Sequence, residues 1–364
     1  MAAQEISKKM IPSLNGLRAI SIIMVLLYHF SQHNFLPHNA LFRYAGMIIS
    51  NGPLGVNVFF IISGYLITTL LIKEKEKNGS ISLKGFYIRR TLRIFPAYYF
   101  LMFVYYLLFM FKYFNITSLE WIGMLTYLKQ FFPSAIHETA HLWSLSVEEI
   151  FYLIFPFLFI FSGKNIKKVL PVLIVLGALS RFLFFAYPLP LMANTIFVTS
   201  DALLMGCFFA LNHDRIIELL FKHKWVKYLV PVALCFSVLI YNYFYHLCTY
   251  DHSKLLITVT AIAYSLFGNI GLFTNLCVAV IVMISISQRN LWFKLLNTRL
   301  LNYIGTLSYS IYLWQQLFTA DREYLHRMPF LVVILIILIC ANLSYYLIEK
   351  PFFKLKDRYS SKNQ

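Results

Sequence analysis

Residues 330–348 read FLVVILIILICANLSYYLI, nineteen positions without a charge, and nine further stretches have similar length and apolarity. An apolar run of about 17 to 25 residues matches a hydrocarbon core roughly 30 Å thick, where a helix satisfies every backbone hydrogen bond internally. Of the 364 residues, 59% are hydrophobic and 13% charged, which excludes an ordinary water-soluble globule. No period-two alternation of the kind a β-barrel needs runs through the chain. The expectation is an all-α integral membrane protein, a bundle of about ten transmembrane helices. The spans fall at approximately 13–31, 54–72, 94–111, 144–162, 167–186, 194–212, 226–247, 269–287, 303–320 and 329–348.

A formal charge of +17 would suit a nucleic-acid partner, but the placement of the charges argues for topology instead. With ten spans and the N-terminus inside, 24 of the 32 Lys and Arg lie in inner segments and 6 in outer loops, and Arg18 and Arg181 lie within spans. Basic residues concentrate on the cytoplasmic side of membrane proteins, so both termini are expected in the cytoplasm. Reading 255–287 as two crossings would carry Arg289, Lys294, Arg299 and the basic tail outside, so 255–268 is expected to be interfacial or re-entrant. The outer segment 112–143 is too broken for a span and is expected to be an amphipathic helix at the outer interface. Five cysteines without C-x-x-C spacing indicate neither a disulfide framework nor a metal site. Lys8 and Lys9 precede the first apolar run without a small-residue cleavage pattern, so that run is expected to be a retained span. With no repeat and no flexible linker, residues 1–364 are expected to form a single membrane domain.

Because successive spans alternate in direction, intramembrane polar residues sort by depth, at about 1.5 Å per residue. Arg18, Arg89, Arg90, Arg93 and Glu349 fall in an inner layer; His29, Asn57, His141, Glu148, Glu149, Arg181 and Asp201 fall in an outer one. Arg18 and His29 are eleven residues apart, roughly 20° from a whole number of helical turns, so they share one helix face about 16 Å apart along the axis. A long ligand with an anionic head inside and a reactive tip deeper in the membrane suits that spacing. Plainer readings stand beside it: inner arginines snorkel to head groups, Pro96 is tolerated in a first helical turn, and Glu148 or Glu149 caps the start of the fourth span behind Ser144. Arg181 and Asp201 read as a structural ion pair.

Seven segments in order resemble the bacterial membrane-bound acyltransferase-3 family: LNGLRAISIIMVLLYHF at 14–30, GVNVFFIISGYLI at 55–67, FYIRRTLRIFPAYY at 86–99, HLWSLSVEEIFYLIFPF at 141–157, SDALLMGCFFA at 200–210, IGTLSYSIYLWQQ at 304–316 and YYLIEKPFF at 345–353. The resemblance implies acyl transfer, usually of acetyl, onto envelope carbohydrates in the bacterial cytoplasmic (inner) membrane. It implies acyl-CoA as donor substrate, no bound cofactor, and an envelope glycan or glycolipid as acceptor. Carried onto this sequence, the family's essential histidine is His29, its first-helix arginine Arg18, its R-x-x-R pair Arg90 and Arg93, and its C-terminal glutamate Glu349. The tryptophan-to-glutamate motif is Trp143, Ser144, Glu148 and Glu149. Asn15 and Asn57 stand where many relatives have Asp, and Gln315 where many have His, so none of the three is given that role. Some relatives carry a fused extracytoplasmic esterase-like domain that this chain is expected to lack.

The chemistry fits histidine, whose pKa near 6.5 suits a base or an acyl-carrying nucleophile. Arg18, Arg90 and Arg93 are expected to bind the donor's phosphates, and Glu148 or Glu149 to orient or stabilise His29. Asn57, Ser63 or Tyr65 are the expected oxyanion donors. Pro133, Pro188, Pro190 and outer-loop aromatics are expected to shape the acceptor entrance. A transporter or exporter of an envelope precursor is the competing reading, because intramembrane charges also mark substrate pathways. Acceptor identity and oligomeric state stay open.

Overall fold

The computed structural model describes residues 11–32, 51–132, 134, 136–186, 195–250, 253–320 and 328–362; the expected acceptor-entrance residues Pro133, Pro188 and Pro190 lie outside them. All regular structure among the described residues is helical. The helices are α1 (Leu14–Gln32), α2 (Gly52–Asn78), α3 (Leu83–Met110), α4 (Ser118–Leu125), α5 (Leu142–Ser162), α6 (Ile166–Ala186), α7 (Ile196–Leu211) and α8 (His213–Lys222). They continue with α9 (Val226–Tyr250), α10 (Lys254–Phe267), α11 (Leu272–Ser287), α12 (Leu291–Leu296), α13 (Arg299–Phe318), α14 (Phe330–Ser344) and α15 (Lys350–Lys362). Among the described residues, seven helical stretches are long and apolar enough to cross a membrane, or eight if the bent pair α7–α8 is one span. The chain is a multi-pass membrane protein.

Helix starts follow local chemistry. Asn51 accepts from the Leu54 amide at 3.0 Å at the start of α2, and Ser82 from the Gly85 amide at 3.1 Å at the start of α3. Because of the Ser82 cap, α3 begins eleven residues before the expected span start at 94, and its arginines, good helix formers, lie within it. Pro96 therefore sits inside α3, not in a first turn. At that same end Arg89 pairs with Glu74 at 2.7 Å and ties α3 to α2. In α5 the helix starts at Leu142, so Glu148 and Glu149 lie beyond its first turn and do not cap it.

The 112–143 segment differs from a free interfacial helix. On α4 one face exposes Leu119, Ile122 and Leu125, while the other packs against α3, where the Tyr98 hydroxyl donates to the Met124 carbonyl at 2.7 Å. Lys129 and Glu120 form a fully buried pair at 2.6 Å, and Tyr105 donates to the Glu138 carbonyl at 2.7 Å. The 255–268 segment is α10, which packs against α6 and α9 and fully buries Thr260 and Ala261.

At the centre, α2 packs against α7 and α1 against α13 with almost no side chain between backbones. A Cβ on Gly64 would lie 1.9 Å from the Leu203 carbonyl oxygen, one on Gly206 2.1 Å from that of Ile61, and one on Gly305 1.9 Å from that of Asn15. Small residues at such crossings replace the hydrophobic drive that lipid-embedded helices lack with close backbone packing. Beside the α2–α7 contact runs a buried polar network. Arg181 of α6 pairs with Asp201 of α7 at 2.5 Å, both fully buried, and also donates to the carbonyls of Val198 and Ser265. The second oxygen of Asp201 accepts from Asn275 at 3.0 Å, and Asn275 accepts in turn from Asn57. The expected structural ion pair is thus present and extended to four residues.

Two outcomes test this scaffold in the detergent-purified protein. Gly64→Ala should lower thermal stability by at least about 1–3 kcal/mol, as overpacking does, while Leu70→Ala on the exposed face of α2 should leave it unchanged; equal melting temperatures for the two variants would contradict the backbone contact. Arg181→Met should destabilise by about 3–5 kcal/mol because Asp201 is left as an uncompensated buried charge. Adding Asp201→Leu should recover much of that loss, and a double variant as unstable as the single one would count against charge pairing as the cause.

Candidate active site

A cavity of about 950 Å³ opens between α1, α2, α3, α5, α13 and the junction of α14 with α15. Each element contributes polar side chains to it for a local reason. On α1, Asn15 and Arg18 are three residues apart and face one way; on α3, Arg90 and Arg93 repeat that spacing. A π-helical turn over Tyr345–Glu349 follows α14 and brings Tyr345, Glu349, Phe353 and Lys356 onto the cavity side. The lining thus holds four cationic side chains, Arg18, Arg90, Arg93 and Lys356, and three carboxylates, Glu148, Glu149 and Glu349.

Glu148 is the junction of this arrangement. It accepts from the Ser63 hydroxyl of α2 at 2.5 Å and from the hydroxyl of Tyr152 one turn along α5, and it lies 3.6 Å from the Arg90 guanidinium. The same guanidinium sits 3.4 Å above the centre of the Tyr152 ring, a cation–π contact on its face. Arg90 Nε is buried without a hydrogen-bond partner, so this side chain retains a donor. Glu349, 3% exposed, accepts from Ser310 of α13. The charges of Arg90, Glu148 and Glu349 all act on Arg93.

The structure therefore corrects the depth assigned to the two glutamates. Glu148 and Glu149 stand with the arginines, whereas His29 is not part of the cavity wall. Helices α1 and α2 cross with Tyr28 against Gly52 and with Ser21 and Val25 against Gly55. Val56, which lines the cavity, thus lies about 6–12 Å short of His29 along α1. The cavity lining also holds Tyr312 and Ser144, whose hydroxyls are 2.6 Å apart and each within hydrogen-bond distance of the His141 carbonyl, at 3.1 and 3.0 Å. His29 lies past that layer, with its ring centre 5.7 Å from that of His137 and the planes at 78°. Glu148 is engaged by Ser63, Tyr152 and Arg90, in the second turn of α5.

Of the other expected site residues, Ser63 and Ser144 line the cavity, while Asn57, Tyr65 and Trp143 do not. Asn57 is 1% exposed and committed to Asn275; the Tyr65 hydroxyl bonds His213 at 2.9 Å; Trp143 packs edge-on against Phe60. Sequence reading missed Tyr152, Tyr309, Tyr312 and Lys356. Tyr152 was detectable, since it lies four residues after Glu148 on the same helix face. His137 had no such signal, because it comes from a one-turn 3₁₀ segment, His137–Thr139, outside any periodic pattern. Among the described residues, no group of three or more His, Cys, Asp or Glu is placed to hold a metal ion.

Comparison with known proteins bears on this geometry. The O-acetyltransferase OatA of Staphylococcus aureus, in strains NCTC 8325 / PS 47, COL and MRSA252 alike, is 28% identical over 389 residues, covering 96% of this chain and 58% of that protein. The chain therefore spans little more than half the length of the curated relatives it matches. No solved structure matches it. The acyltransferase domain family, acyltransferase-3, matches residues 11–349, a stretch that includes α1 with Arg18 and His29, the arginines of α3 and the turn that carries Glu349, and the chain belongs to that family.

Proposed function

We propose that this protein is an O-acyltransferase, in the simplest case an O-acetyltransferase, which moves an acyl group from cytoplasmic acyl-CoA to a hydroxyl of a cell-envelope carbohydrate. Lipopolysaccharide O-antigen, capsule and exopolysaccharide all offer such hydroxyls. In this reading the chain makes ten spans in the bacterial inner membrane as a single membrane domain with both termini in the cytoplasm. The observation that carries the reading is the cationic cavity of about 950 Å³ lined by Arg18, Arg90 and Arg93.

Three arginines in an apolar bundle suit the phosphates of coenzyme A, since guanidinium binds phosphate through paired, charge-assisted hydrogen bonds. Arg18 and Arg93 face the cavity, and Arg90 is held by Glu148 and Tyr152, so a phosphate replaces or joins Glu148 on Arg90 without moving the guanidinium far. Glu148 acts in this scheme by presenting Arg90, and Glu149 and Glu349 balance the cavity's charge. The thioester arm extends toward Tyr312 and Ser144, and release of their hydrogen bonds lets the acyl tip reach His29. There the imidazole takes the proton of the attacking hydroxyl, as a base with a pKa near neutrality does efficiently.

In purified protein, His29→Ala should abolish thiol release from acetyl-CoA while membrane insertion and thermal stability are retained; undiminished release would end the proposal. Arg90→Ala should raise the apparent KM for acetyl-CoA by tenfold or more, the effect of losing a charge-assisted hydrogen bond worth about 1.5–3 kcal/mol. An unchanged KM would remove Arg90 from donor binding. Absence of thiol release from the unaltered protein, together with solute flux in proteoliposomes, would favour a transporter.

A further inference from the structure

Of the segment YYLIEKPFF at 345–353, two aromatic side chains, Tyr345 and Phe353, line the cavity together with Glu349. Phe353 stands four residues after Glu349 and Lys356 three after Phe353, the spacing of one helix face. The cavity wall therefore continues along α15 past the carboxylate, with Phe353 about 6 Å further along the axis. Tyr345 and Phe353 form a corner there, their ring centres 6.2 Å apart and their planes at 69°. Both rings are half-buried.

This corner adjoins the arginines. Helix α15 and the π-helical turn both pack against α3, and the charges of Glu349 and Arg93 act on Tyr345. An aromatic ring beside a cationic groove is the combination that binds nucleotides, because the cations take the phosphates and the ring stacks on the base. Lys356 Nζ lies over the Phe353 ring, 5.3 Å from its centre, so the ring presents a face and not only an edge. Coenzyme A has the matching order of parts: adenosine, two linking phosphates, and the arm that carries the thioester. With the phosphates on the arginines, the arm leads to one side of them and the base to the other.

We propose that the corner of Tyr345 and Phe353 is the site for the purine end of the donor, with the base stacked on Phe353; this rests on the acyl-CoA reading above. The stacked base takes the place of the ammonium over that ring, and the flexible stem of Lys356 lets its charge move to the rim of the base. The subsite makes the nucleotide part of what is recognised. Acyl groups on carriers that share the phosphopantetheine arm but have no base, such as an acyl carrier protein, are then poor donors.

The test uses the full chain in detergent, thiol release from acetyl-CoA, and two competitors. Adenosine 3′,5′-bisphosphate carries a base with its phosphates, whereas inorganic pyrophosphate carries phosphates alone. In the unaltered protein the nucleotide should compete with acetyl-CoA. Phe353→Ala should weaken inhibition by the nucleotide by at least about fivefold, the effect of losing one base–aromatic stack, and leave inhibition by pyrophosphate unchanged. Phe353→Tyr keeps a ring and should retain most of the nucleotide's inhibition. Equal weakening of both competitors in Phe353→Ala would mark a merely structural residue, and no weakening of either would put the base elsewhere; each result overturns the proposal. A Tyr variant no better than the Ala variant, or a nucleotide that does not inhibit the unaltered protein, would overturn it too. Absence of thiol release from the unaltered protein is a separate outcome: it removes the acyl-CoA reading itself, and the purine subsite falls with it.

Discussion

The carboxylate of Glu148 joins three helices through Ser63 of α2, Arg90 of α3 and Tyr152 of α5, and the organisation of the cavity follows from that junction. A guanidinium in an apolar bundle is stable only where a counter-charge and hydrogen-bond acceptors surround it. Arg90 has Glu148 on one side and the Tyr152 ring below, so its position is defined while Nε keeps a free donor. A cation held this way is pre-organised for an anionic ligand, and little conformational freedom is left to lose on binding.

The scaffold behind the junction is of a different kind. Backbone contact at Gly64, Gly206 and Gly305 sets the spacing of α2 with α7 and of α1 with α13, and the Arg181–Asp201–Asn275–Asn57 network fills the polar seam beside it. All four residues of the seam are almost fully buried and line no part of the cavity. Intramembrane charge thus serves two purposes in one bundle. Fully paired and fully buried, it locks helices; half-buried and only partly satisfied, as around Arg90, it leaves binding capacity.

Along α1 the two ends of the candidate site are separated by a hydrogen-bonded layer of Tyr312, Ser144 and His141. One side carries the arginines and carboxylates, the other the His29–His137 pair. This partition keeps the cavity's cations apart from the imidazoles.

The sequence by itself determined much of this. Apolar runs required a helical membrane bundle, the eleven-residue spacing put Arg18 and His29 on one face of α1, and the paired arginines of α3 marked a cationic site. Their depth and partners were decided only by the tertiary structure. Glu148 was expected beside His29 from a depth counted along the helices, whereas the Ser82 cap starts α3 early, at Leu83, and Arg90 of that helix lies 3.6 Å from Glu148. Asn57 looked available, but its side-chain amide donates a hydrogen bond to Asn275, more than two hundred residues away. His137 and Gln316, 179 residues apart, meet through a turn with no periodic signature. Periodicity reports which face of a helix is buried, but the partner waiting there depends on how the other helices pack.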